Sequence, residues 1–409
     1  MNQGLVVTVF VLVYAAMALG RWPGLALDRT GAAVIGAIVL VAVGAADTAL
    51  VLSSIDFSTL VILFALMVLS AQFAASGFFE WCAEAIAATR ASPTRILTIV
   101  VAVGGTLAAV LTNDVVVWAM TPVLVRGLVA RRLDPKPYVV ALAMAANAGS
   151  AATLIGNPQN LLIAGAGKLE FWPFIAACGV PALVALVLVR VVVGGLSRRA
   201  LHSDAASPSS GAGTEAPSPP ERAALAKGAF AAAAVIAVFT LPVDRAHWML
   251  AVAGLLLLSR RLSTRRMLSM VDWHLLLLFA ALFVVTGTLA ASGVTARAVA
   301  ALGADTLRAP ATFALAALVG SNTIGNVPLV IVMLSAGLDL GTAQLYALAL
   351  FSTLSGNLLV VGSLANIIAV ERAGAEGVTI SFADYARLGV PVTLASFVFA
   401  WVWLQIVLV

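Results

Sequence analysis

Apolar residues fall in twelve nearly unbroken stretches, at about residues 5–20, 31–46, 57–75, 96–125, 138–166, 171–194, 224–241, 246–259, 273–291, 310–335, 343–370 and 385–409. Most are uniformly apolar, and a helix crosses a bilayer with about 20 such residues. The pattern therefore predicts an all-α polytopic membrane protein. The first stretch resembles a signal peptide, but Met1-Asn2-Gln3-Gly4 carries no basic side chain, and Arg21 and Arg29 follow the stretch. It reads as a spanning helix. Between residues 197 and 222 the character changes to Ser197-Arg198-Arg199, Ser207-Pro208-Ser209-Ser210-Gly211 and Pro217-Ser218-Pro219-Pro220. That composition makes a flexible polar linker.

The segments on either side of the linker repeat. Ile55-Asp56-Phe57 and Val271-Asp272-Trp273 each open an apolar run, and Ala74-Ala75-Ser76-Gly77 and Ala290-Ala291-Ser292-Gly293 close those runs at the same offset. Gly156-Asn157-Pro158-Gln159-Asn160 parallels Gly362-Ser363-Leu364-Ala365-Asn366, and Gly179-Val180-Pro181 parallels Gly389-Val390-Pro391. Repeats interrupted by polar residues inside apolar segments are the signature of a secondary transporter.

Composition and charge agree. Of 409 residues, 62% are hydrophobic and 10% charged, too few charges for a soluble globular enzyme. The net charge of +5 is a topology signal rather than a nucleic-acid one. If 96–125 and 310–335 are re-entrant hairpins and the other ten stretches cross, 19 of the 23 basic residues, Arg21 and Arg29 among them, share one side. If both hairpins cross, the split is 10 to 13. The positive-inside rule selects the hairpins, which makes the repeats inverted and both termini external. Cys82 and Cys178 build no disulfide framework, and His202, His247 and His274 are scattered. Neither a nucleotide site nor a metal site is expected, so no cofactor is.

Polar breaks mark the chemistry. Asp114, in Leu111-Thr112-Asn113-Asp114-Val115, is the one charge between Ile96 and Val125. A carboxylate at bilayer depth is costly and points to function; the competing reading is a structural turn. Gly156-Asn157-Pro158-Gln159-Asn160 cannot continue a lipid-facing helix. Unwinding there would offer carbonyls for Na⁺ and a helix N-terminus for an anion; a plain proline kink is the alternative. The second half supplies Ser321-Asn322, Gly325-Asn326-Val327-Pro328, Gly356-Asn357 and Gly362-Ser363 with Asn366, none charged. Trp118, one turn beyond Asp114, either walls the site or packs in the core. Phe78 to Thr89 suits a helix at the membrane interface.

These motifs together, from about Asp56 to the C-terminus, resemble the ion transporter superfamily. That group holds arsenite efflux pumps, citrate–metal symporters, NhaD-type antiporters and sodium–dicarboxylate symporters. The resemblance implies a scaffold plus a mobile transport domain moving as an elevator, and a homodimer. In the dicarboxylate branch Ser-Asn-Thr stands at both hairpin tips. Here those positions read Thr112-Asn113-Asp114 and Gly325-Asn326-Val327, which shifts the resemblance toward the arsenite-pump-like branch. The chain then divides into N-terminal scaffold helices (1–54), repeat 1 (55–196), the cytoplasmic linker (197–222), further scaffold helices (223–270) and repeat 2 (271–409). Each repeat holds a hairpin (96–125, 310–335) and a broken helix (138–166, 343–370).

The expectation is a secondary transporter in the cytoplasmic membrane, moving a small anion or oxyanion with H⁺ or Na⁺. The substrate site is expected from Thr112, Asn113, Gly156, Asn157, Pro158, Gln159, Asn160, Ser321, Asn322, Gly325, Asn326, Asn357, Gly362, Ser363 and Asn366. Asp114 is the expected coupling residue, with Na⁺ near Asn113, Asp114 and Asn157. An ionised Asp114 would repel an anion, so it either takes a proton or holds a compensating cation. The rival is a Na⁺/H⁺ antiporter with Asp114 as cation ligand. An intramembrane enzyme would need a second group beside Asp114, and none is in sight.

Overall fold

The computed structural model describes residues 2–20, 22, 24–202, 219–259 and 262–407. All its regular elements are helical. The first half comprises α1 (Gln3–Leu19), α2 (Arg29–Ala42), α3 (Thr48–Ser54), α4 (Phe57–Ala75), α5 (Phe78–Ala88), α6 (Pro93–Val110), α7 (Asn113–Ala130), α8 (Lys136–Ser150), α9 (Pro158–Gly167), α10 (Phe171–Leu196) and α11 (Arg198–His202). The second comprises α12 (Arg222–Thr240), α13 (Arg245–Leu257), α14 (Thr264–Leu268), α15 (Trp273–Ala291), α16 (Val294–Leu302), α17 (Ala304–Arg308), α18 (Pro310–Thr323), α19 (Asn326–Ser335), α20 (Thr342–Ser355), α21 (Leu364–Ala375) and α22 (Phe382–Val407). Seven of the described helices are long and apolar enough to cross a membrane, and α1, α2, α13 and α19 are shorter apolar helices.

The two repeats carry matching local chemistry. Asp56 and Asp272 are N-caps: the Asp56 carboxylate accepts from the Thr59 amide (3.0 Å) and Asp272 from the Leu275 amide (2.9 Å). Such a cap satisfies an amide that the first turn leaves without a partner. At the other ends, Gly77 and Gly293 adopt φ of +74°, and the Ser76 and Ser292 hydroxyls donate to the carbonyls of Phe73 and Leu289. The repeated Asp and Ser-Gly are therefore the punctuation of α4 and α15. Both closing helices, α10 and α22, run through an internal proline, Pro181 and Pro391.

Packing sorts the helices into two groups. α1, α2, α3, α4, α12, α13, α14 and α15 pack mainly among themselves, and α5 to α10 pack with α18 to α22. The contacts between α6 and α8 are the most intimate, because Gly105 and Gly149 let the two backbones meet. The linker differs from expectation at its edges: Arg198–His202 is helical, and α12 begins at Arg222. Residues 203–218 lie outside the described residues. α5 packs on α7 and buries Phe79, Cys82, Ala83, Ile86 and Ala87, so one of its faces is turned to protein.

Candidate functional site

Helix breaks stand where the sequence places them. α6 ends at Val110 and α7 starts at Asn113; α8 ends at Ser150 and α9 starts at Pro158. α18 and α19 are separated by Ile324-Gly325, and α20 and α21 by a non-α segment containing one 3₁₀ turn, Val360–Gly362. Four of the helices that restart after these breaks, α7, α9, α19 and α21, begin at one cavity of about 110 Å³. Their first residues line it: Asn113 and Asp114, Pro158 and Gln159, Gly325 with Asn326, and Ser363 with Leu364. Each N-terminus presents amides without helical acceptors and the positive end of a helix dipole. The opposite wall comes from the other helix group: Met17 and Arg29 of α1 and α2, and Leu275, Leu278 and Phe279 of α15. Tyr14 donates to the Pro328 carbonyl (3.3 Å) and ties the groups together beside the cavity.

Behind the cavity lies a buried amide network centred on Asn147 of α8, which is fully buried. Its Oδ1 accepts from Asn113 Nδ2 (3.1 Å) and Ser363 Oγ (2.9 Å). Its Nδ2 donates to Asn357 Oδ1 (3.0 Å) and Asn366 Oδ1 (2.9 Å). Asn147 thus joins both broken helices to the first hairpin. Its counterpart in the second repeat is Thr353, whose hydroxyl accepts from Gln159 Nε2 (3.2 Å) and Asn157 Nδ2 (3.4 Å).

The breaks themselves are held alike. Asn160 Nδ2 donates to the carbonyls of Thr153 (2.8 Å) and Ser150 (3.3 Å). Asn366 Nδ2 donates to the carbonyls of Leu359 (3.1 Å) and Gly356 (2.6 Å), the repeat-related positions. Buried carbonyls freed by unwinding need such donors. Asn157 accepts from the Asn160 amide (2.9 Å) as the N-cap of α9.

The expected site residues therefore separate by position. Asn113, Asp114, Pro158, Gln159, Gly325, Asn326 and Ser363 line the cavity. Asn157, Asn160, Asn357 and Asn366 form the buried network behind it. Thr112 meets Ser70 of α4 (3.3 Å), and the Gly156 carbonyl accepts the Asn113 amide (3.2 Å). Ser321 donates to the Ser352 carbonyl, and Asn322 to those of Leu318 and Ser355, at the end of α18. Gly362 packs beneath Asn322. Trp118 lies away from the cavity, half-exposed, with the Arg372 guanidinium 4.4 Å above its ring.

Asp114 forms no ion pair within 4.0 Å among the described residues, and the buried Oδ1 atoms of Asn113 and Asn326 have no hydrogen-bond donor there. Two contributors were missed. Asn147 looks like one polar residue in an apolar helix; its spacing before Asn160, matched by Thr353 before Asn366, is the signal that could have found it. Arg29 was counted among the loop cations, yet it opens α2 and lines the cavity.

Comparison with known proteins agrees with this architecture. The citrate transporter family, CitMHS, matches residues 12–346. An uncharacterized transporter of Mycobacterium tuberculosis, Rv2685, is 32% identical, covering 97% of each chain. The silicon efflux transporter LSI3 of Oryza sativa subsp. japonica is 35% identical over 165 residues, 40% of this chain and 33% of the plant protein. The crystal structure of the Alcanivorax borkumensis YdaH transporter superposes with a TM-score of 0.54 at 16% identity, covering 99% of this chain and 97% of that one. The likeness to YdaH is one of fold. With its breaks, its cavity and its relatives in place, the chain is a multi-pass membrane transporter, not an enzyme, and belongs to the citrate transporter family of the ion transporter superfamily.

Proposed function

We propose that the protein is a secondary active transporter of a small anion or oxyanion across the cytoplasmic membrane, coupled to H⁺ or Na⁺ through Asp114. The observation that carries this reading is the convergence of four helix N-termini on one cavity that also holds a single carboxylate. Helix N-termini favour anions. Asp114 then has to be neutralised for an anion to share the space, either by a proton or by Na⁺. For Na⁺, the unpaired oxygens of Asn113 and Asn326 beside Asp114 are suitable hard ligands. The family description names citrate, a small organic anion, and that of the rice relative names silicon.

The division into two helix groups with the cavity between them supports an elevator-type movement. In that movement α5 to α10 and α18 to α22 slide against a scaffold of α1 to α4 and α12 to α15. A homodimer, and both termini external, complete the reading. The same unpaired oxygens favour one rival, a Na⁺/H⁺ antiporter in which Asp114 is a cation ligand and no anion binds. A thermal-shift screen of purified protein against citrate, succinate, phosphate, silicate, NaCl and LiCl separates the two, since ligands of the native state raise its stability. Stabilisation by at least one anion is expected. Stabilisation by Na⁺ or Li⁺ alone would favour the antiporter.

A further inference from the structure

We propose that Arg29 is the charge partner of the transported anion, contributed by the scaffold wall opposite Asn113 and Asp114. The inference rests on the anion reading above and names the group that sets the sign of the cargo.

Arg29 is the first residue of α2, and its guanidinium turns back to the end of α1, where Nε donates to the Met17 carbonyl (3.0 Å). That bond fixes the fork against the cavity wall. Among the described residues, the two Nη groups have no protein acceptor, and no carboxylate lies within ion-pairing distance. Of the described residues lining the cavity, Arg29 carries the only positive charge and Asp114 the only negative one. The two do not pair, so Arg29 is not there simply to neutralise Asp114.

A guanidinium partly removed from water, whose Nη donors meet no acceptor among the described residues, is placed to receive an oxygen-bearing ligand. Arginine stays charged throughout the physiological range, and its planar fork matches a carboxylate or oxyanion with two parallel hydrogen bonds. A cation carrier gains nothing from such a group, because it would repel the cargo. Four helix N-termini on the mobile side and one arginine on the fixed side would surround an anion with positive potential.

The test uses the purified full chain and whichever of citrate, succinate, phosphate or silicate stabilises the wild type. Arg29→Gln should weaken the apparent affinity for that anion by about tenfold or more, the fold-change expected for losing one charge-assisted contact, while Arg29→Lys should recover part of it. Equal affinity in Arg29→Gln would overturn the proposal and leave anion transport standing. If no anion binds the wild type, the anion reading fails and the proposal with it. Should Arg29→Gln not fold, phenylglyoxal labelling of the wild type, read by mass spectrometry, decides. Protection of Arg29 by saturating anion supports the role, and unchanged labelling refutes it.

Discussion

Asn147 Nδ2 and Asn366 Oδ1, 219 residues apart, are joined by a hydrogen bond of 2.9 Å. The bond runs from the broken helix of one repeat to the broken helix of the other. Ser363 Oγ donates back to Asn147 Oδ1, and Asn157 and Gln159 donate to Thr353, the position in the second repeat that matches Asn147. The repeats are thus bonded to each other across their breaks, and the residues that restart the helices line the cavity.

Asn147→Ala would strip partners from Asn113, Asn357, Asn366 and Ser363 together. Each buried polar group left unpaired costs about 1–3 kcal/mol, a large share of a typical stability. The variant should melt at a clearly lower temperature in detergent and should not transport. Wild-type melting and flux would show that the network is replaceable.

Asn160→Ala and Asn366→Ala each remove a side chain that bridges two carbonyls of an unwound segment. Both should lose most transport, measured as flux in proteoliposomes, even where enough folded protein can be purified. Normal flux in both variants would mean that the breaks keep their shape without these amides.

Backbone contact between α6 and α8 predicts a contrast between two glycines. A Cβ on Gly149 would sit 2.0 Å from the Gly105 carbonyl oxygen, whereas one on Gly195 would meet nothing within 4 Å. Backbone clashes of this kind cannot relax as a flexible side chain would. Gly149→Ala should therefore yield no monodisperse protein by size-exclusion chromatography, and Gly195→Ala should behave as wild type.

The asymmetry of 19 basic residues against 4 predicts the orientation. Reporter fusions at both termini should read external and a fusion within residues 200–220 cytoplasmic. A cytoplasmic C-terminus would contradict the two-hairpin topology.

Much of the architecture was legible because local chemistry is written locally. Asp56 and Asp272 cap, Ser76-Gly77 and Ser292-Gly293 terminate, and Pro158 forces a restart, each within a few residues. What could not be read directly depends on tertiary neighbours. Asn147 sits in Ala145-Ala146-Asn147-Ala148-Gly149, an ordinary helical run, and acquires its role only from the break packed against it. Arg29 at the edge of an apolar stretch has the pattern of a loop cation until α1 and α2 fold together. Proximity in sequence also overstated the cavity. Asn157 and Asn160 adjoin Gln159, yet a helix start turns neighbouring side chains in different directions, and only Pro158 and Gln159 of this motif reach the cavity.

The central claim is that Asp114 couples transport to an ion gradient. Asp114→Asn retains size and most hydrogen bonding, but it can neither take up a proton nor balance a cation. The direct measurement is flux of the transported anion in proteoliposomes under imposed pH and Na⁺ gradients, wild type beside Asp114→Asn. The account predicts gradient-driven accumulation by the wild type and none by the variant, with anion binding by thermal shift partly kept. Full gradient-driven accumulation by Asp114→Asn would contradict it.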